Sequence, residues 1–232
     1  MKTEDDVNDR DVLKKKNRAG LLGVFLGGLM VLTLLSGSLG PGTAEAAGLP
    51  DSYYIQGVPL YAQLHNLSCE YAAAKMVTAY WGEMVPESQF IANIPVRNNP
   101  HFGYRGNIDG GGGGLTNYGI YSEPIANYLS SIGFNTNAFY GDVYSLKAEI
   151  AKGHPVIVWV TIALQYANPV RVVEDGSPVK LVPGEHAVVV TGYDAGGVYV
   201  NGPAQGIRTK FDWASFERTW GYFDNMALSI WL

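Results

Sequence analysis

The sequence predicts an α+β domain in which helices come first and strands later, with N-terminal helices packed on a C-terminal antiparallel sheet. Two observations carry this. Apolar and small residues recur at helical spacing over Ser68–Tyr80, Pro86–Ile94, Ser122–Ile132 and Val143–Ala151. β-branched runs then take over at Pro155–Ile162, Lys180–Pro183, His186–Tyr193, Gly197–Asn201 and Met226–Trp231.

The elements follow from local chemistry. Ser52–Gln63 alternates aromatic and β-branched residues, and Val58-Pro59 fixes an extended or turn conformation. Ser68 is placed to cap the first helix and Gly82 to stop it. The second helix has Glu87 near its start, where the helix dipole favours an anion, and Pro95 closes it. Asn98–Thr116 contains five successive glycines, Gly110–Gly114, and reads as a long irregular segment, either mobile filler or a binding rim. Gly133 and Gly153 stop the third and fourth helices. Pro155–Ile162 is apolar enough to be buried on both faces. Asp194–Gly197 turns one late strand into the next, and Asp212–Thr219 reads as a short helix.

Residues 1–46 read as a signal peptide or N-terminal membrane anchor. Lys14-Lys15-Lys16-Asn17-Arg18 precedes an uncharged stretch, Ala19–Leu35, and Ala44-Glu45-Ala46 resembles a small-x-small cleavage site. Positive charge before the apolar stretch places the remainder outside the cytoplasm, so the expected location is secreted or extracytoplasmic and membrane-anchored. Residues 47–57 form a linker or extended arm, and 58–232 one domain.

After residue 46 the chain has ten Lys and Arg against fifteen Asp and Glu, which accounts for the net charge of −5. This balance points away from nucleic acid. Cys69 is the only cysteine in 232 residues, so no intramolecular disulfide forms. No close ligand pair such as His-x3-His accompanies it, and neither a metal nor another cofactor is expected.

Cys69 falls at the start of a predicted helix, where unpaired N–H groups and the dipole favour a thiolate. A small buried hydrophobe is the competing reading of any free cysteine. A nucleophilic cysteine needs a base, and the histidines are His65, His101, His154 and His186. His65 lies in a loop, His154 sits at a turn between Gly153 and Pro155, and His101 belongs to the long loop. His186 begins a strand, from which a ring can project into a cleft while the strand fixes it. Glu70 follows the cysteine directly, and a carboxylate facing the sulfur would disfavour the thiolate. Neighbouring helix positions diverge by about a hundred degrees, which leaves room for Glu70 to face elsewhere.

Several segments together resemble cysteine peptidase family thirty-nine, the bacteriocin-processing type, in its secreted stand-alone branch. They are Val58-Pro59-Leu60-Tyr61-Ala62-Gln63, Cys69-Glu70, Ala72–Met76, Tyr80-Trp81-Gly82, Gly153–Trp159, His186–Asp194 and Val198–Pro203. The resemblance runs from about Val58 to the C-terminus and implies a papain-like fold. It implies Cys69 as nucleophile, His186 as general base and acid, and Gln63 as an oxyanion donor. The family's aspartate before the proline falls on Gly202, which cannot orient an imidazole. Asn201 is the nearest substitute, one residue out of register in a strand whose adjacent side chains face opposite ways. The expected activity is hydrolysis of an amide bond in a peptide or cell-wall peptide through a thioester. The alternative is a non-catalytic peptide or cell-wall binding domain on the same scaffold with a degraded triad.

Overall fold

The computed structural model describes residues 48–232. The signal or anchor expectation for 1–46 lies outside the described residues. No helix among the described residues is long and apolar enough to cross a membrane.

The short strand β1 (Tyr53–Tyr54) is followed by α1 (Cys69–Tyr80), α2 (Glu87–Asn93) and α3 (Ser122–Ser131). Then come β2 (Asn135–Tyr140), α4 (Val143–Ala151), β3 (Val156–Thr161), β4 (Val170–Glu174) and β5 (Ser177–Leu181). The chain closes with β6 (Glu185–Asp194), β7 (Gly197–Gly202), β8 (Ile207–Asp212), α5 (Trp213–Gly221) and β9 (Met226–Trp231). The main sheet runs β2-β9-β3-β6-β7-β8, all antiparallel, and β4 and β5 form a separate hairpin.

Helices packed on an antiparallel sheet match the predicted class, with differences at the sheet edges. The sequence predicts no element at the outermost strands β2 and β8. Their sequences, Asn-Thr-Asn-Ala-Phe-Tyr and Ile-Arg-Thr-Lys-Phe-Asp, are polar because an edge strand keeps much of its surface in water. The strand expected at Lys180–Pro183 overlaps the end of β5, but β4 and the hairpin went unpredicted although its turn is the Asp175-Gly176 pair, both at positive φ, which a tight hairpin turn requires.

Tyr53 and Tyr54 pair with Tyr193 and Gly192 of β6. The ladder between β3 and β6 ends at Val190, so β1 takes up backbone groups that β3 leaves open beyond it.

Burial explains the centre of the molecule. All six residues of β3 are buried, as in a strand covered on both faces. α1 is buried almost throughout, and its Ala72-Ala73-Ala74 run lets the helix sit close to the sheet. Its expected Ser68 cap does not form. The Ser68 hydroxyl donates instead to the buried Glu87 carboxylate at 2.5 Å, and its oxygen accepts from the His65 N–H at 3.1 Å rather than from the helix.

The long loop is pinned rather than loose. Tyr104 donates to the Leu67 carbonyl at 2.6 Å, and Trp159 donates its indole N–H to the Ile120 carbonyl at 2.9 Å. The indole bond fixes Ile120 beneath the start of α1. Trp159→Phe leaves that buried carbonyl without its partner and is expected to cost about 1–3 kcal/mol. Urea denaturation checks this, and a loss under about 0.5 kcal/mol would contradict the role given to the bond.

Candidate active site

The N-terminus of α1 and the beginning of β6 meet at a cleft of about 410 Å³. Cys69, His186, Gln63, Glu185, Tyr118 and Gly202 are among its lining residues. Cys69 is the first helical residue, and the Ala187 N–H donates to its Sγ at 3.4 Å. Ala187 reaches the sulfur because β7 pairs β6 only from Val189 onward, which leaves the earlier backbone groups of β6 free on that side.

The four histidines separate by their partners. Nδ1 of His65 lies 2.9 Å from Asp109, that of His101 2.9 Å from Glu123, and that of His154 3.0 Å from Glu149. His154 also stacks on Trp231. His186 is the histidine that lines the cleft, between Val188 on its own strand and Val160 opposite on β3. No hydrogen bond from the described residues reaches its ring, and burial depresses its pKa to about 4.

The structure corrects the reading of Glu70. Its carboxylate does not face away from the cysteine, since the thiol donates to Glu70 Oε2 at 3.3 Å. Glu70 Oε1 accepts from the Ile120 N–H at 2.7 Å, which draws the side chain back over its own helix start. Sequence reasoning missed a second acid. Glu185, adjacent to His186, is 8% exposed, and neither of its carboxyl oxygens has a hydrogen-bond partner. One carboxyl oxygen each of Glu70 and Glu185 and the Cys69 Sγ lie within 4.8 Å of one another.

This crowding sets the electrostatics. Burial, then the charges of Glu70 and Glu185, push the Cys69 thiol well above its ordinary value, against a smaller lowering by the Ala187 N–H. Burial and Glu70 raise Glu185, and burial raises Glu70. The resting pair is therefore a neutral thiol and a neutral imidazole.

The two amides are committed elsewhere. Gln63 Nε2 donates to the carbonyls of His65 and Asn66 at 2.8 and 2.7 Å, clamping the turn that leads into α1. Both of its N–H groups are thereby used. Asn201 is wholly buried, pairs opposite Val189, and donates to the carbonyls of Val58 and Pro59. It makes no hydrogen bond to His186: the carbonyls of the entering arm fix its Nδ2, and its buried Oδ1, the atom that would accept from an imidazole, has no partner. Gly202 lies on the cleft, and a Cβ there would meet only the Ile207 carbonyl oxygen, at 3.6 Å.

Helices packed on an antiparallel sheet, with a helix-start cysteine and a strand-start histidine lining one cleft, fit a papain-like cysteine peptidase scaffold. The chain belongs to the Peptidase_C39 like family, whose model matches residues 55–228. It is similar to the uncharacterized protein YvpB of Bacillus subtilis, 27% identical over 183 residues, covering 72% of this chain and 70% of that one. A solved protein described as a C39-like peptidase from Bacillus anthracis superimposes with a TM-score of 0.67 at 21% identity, covering 78% of this chain and 98% of that one. That likeness is one of fold.

The buried acids give a sign to the pH dependence of stability. Their pKa values are raised in the folded state, so their contribution is fully present below the ordinary carboxyl range, near about 4.3. It is lost as pH rises through the raised values. In metal-free buffer, Glu185→Gln is expected to stabilise the protein by at least about 1 kcal/mol at pH 8 and by less at pH 5. Denaturation at the two pH values checks this, and parallel curves for the two proteins would contradict it.

Proposed function

We propose that this protein is an exported cysteine peptidase that hydrolyses an amide bond in a peptide or cell-wall peptide. The observation that carries the reading is the common cleft of Cys69 and His186, with the thiol at a helix start. Export rests on the basic and apolar character of residues 14–35, as a secreted or membrane-anchored form.

The reaction starts from the neutral pair. The thiol leaves Glu70, passes its proton to His186, and Sγ attacks the substrate carbonyl carbon while the carbonyl electrons move to oxygen. The Cys69 N–H, one of the unpaired donors of the first helical turn, is available to that oxyanion. Gln63 joins it on releasing one of the two turn carbonyls it holds. The carbon–nitrogen bond then breaks, the leaving amine takes the proton from His186, and a thioester remains. Water then attacks the thioester carbonyl and gives one proton to His186. The carbon–sulfur bond breaks, the carboxylic acid leaves, and the sulfur takes the proton back from His186 as the thiol.

A second reading has its own support. The His186 ring lacks an orienting hydrogen bond and Asn201 is engaged by Val58 and Pro59, as in a peptide-binding domain with a degraded triad. The full-length protein distinguishes the two. Against a diverse peptide library that includes cell-wall stem peptides, the wild type is expected to cleave, and His186→Ala to lose about 10²–10⁴-fold in rate. An inert wild type whose Cys69 alkylation is unaffected by His186→Ala would support the binding domain instead.

Because Cys69 is the only cysteine, iodoacetamide labelling reports on it alone. Its alkylation is expected to rise with an apparent pKa above the ordinary thiol value of about 8.5, and Glu70→Gln is expected to lower that midpoint. A midpoint below 7 in the wild type would contradict the neutral resting pair.

Gly202 has room for a side chain on the same cleft. Gly202→Asp is expected to raise kcat severalfold with little change in KM, by giving the imidazole an anionic partner. Gly202→Asn and Gly202→Ala serve as controls for charge and for bulk. Equal activity in all three variants would remove the orienter from the account.

A further inference from the structure

The mechanism makes no use of Glu185, a buried carboxyl with no hydrogen-bond partner. A buried acid in that state stays ionised only beside a positive charge, and otherwise holds its proton. None of the ion pairs among the described residues involves Glu70 or Glu185.

We propose that Cys69, Glu70 and Glu185 form a binding site for a divalent transition-metal ion of the zinc class, and that the bound metal masks the nucleophile. One soft sulfur and two carboxyl oxygens suit such an ion. The 3.3 Å separation of Sγ and Glu70 Oε2 is close to the edge of a zinc tetrahedron, about 3.5 Å for bonds of about 2.3 and 2.0 Å. Small side-chain rotations bring Glu185 to the same centre from its place within 4.8 Å.

The surroundings are those of a built site. The Ala187 N–H holds the sulfur and the Ile120 N–H holds the far oxygen of Glu70, outer hydrogen bonds of the kind that orient metal ligands. At Gly119, with φ of +146°, a Cβ would lie 2.0 Å from Glu70 Oε1 and 2.8 Å from Glu185 Oε2, so a side chain there would displace both acids. The cleft supplies an entry path and leaves the fourth position open. Binding releases the thiol proton, and any proton on the carboxyls, to solvent. The sulfur lone pair is then committed to the metal, and the thiol neither attacks a substrate nor oxidises.

The inference goes beyond the peptidase reading and does not require it, since the test needs no substrate. Cobalt(II) chloride, followed by zinc chloride, is titrated into full-length, metal-free protein. The expected result is one sulfur-to-cobalt charge-transfer band per chain, abolished by zinc, with iodoacetamide labelling of Cys69 slowed at least tenfold. Glu185→Gln is expected to weaken binding by at least about tenfold, and His186→Ala to leave it unchanged. Glu70→Gln provides a second ligand variant should the first not fold. No charge-transfer band in the wild type overturns the site, as does undiminished affinity in a folded Glu185→Gln or Glu70→Gln variant. Loss of binding in His186→Ala would overturn the ligand set. A protein that gives the band yet, when metal-free, cleaves no peptide would refute the peptidase reading alone.

Discussion

The first turn of α1 is wedged against the start of β6, where the Ala187 N–H meets Cys69 Sγ and two carboxyl side chains close over the sulfur. The strand supplies that N–H only because β7 begins to pair beyond it, and α1 approaches closely because its middle is alanine. The long loop closes the third side, with Ile120 bonded to Glu70 and to Trp159. Cysteine, acids, loop and strand therefore form one packed unit. A change at Gly119 or Trp159 is felt at the sulfur without touching it.

This packing has an electrostatic consequence. Helix position alone favours a thiolate, but burial and two neighbouring carboxyls act in the opposite direction and prevail. His186 is shifted in the complementary direction by its apolar neighbours. The free protein holds its nucleophile in reserve, and chemistry requires the thiol to exchange Glu70 for His186. The acids that impose this reserve also make the cleft receptive to positive charge.

Much of the fold was legible in the sequence. The helices over 122–131 and 143–151 have clean periodicity and glycine stops, and β3 reads as a buried run. The edge strands β2 and β8 were not legible because solvent exposure strips an edge of its apolar signature, whereas the Asp175-Gly176 hairpin carried a signal that was available. At the site, His186 stood out among four histidines because it opens a strand, and the structure brings it to the cleft with Cys69. Glu185 was invisible as a site residue, since only the packing of β6 on α1 brings it to Glu70. The hydrogen-bond partners of Gln63 and Asn201 were not legible for a related reason. An amide's partner is chosen by whichever backbone carbonyl tertiary structure leaves unpaired, here His65 and Asn66 for one and Val58 and Pro59 for the other.

The neutral resting pair is the centre of this account, and the ring of His186 reports on it directly. An NMR pH titration of the imidazole protons in the full-length protein, with the resonances assigned by His→Gln substitutions one at a time, gives its pKa. The account predicts that His186 titrates near 4, well below the ordinary value of about 6.5. A His186 resonance titrating above 7 would mean a preformed ion pair with the Cys69 thiolate and would contradict it.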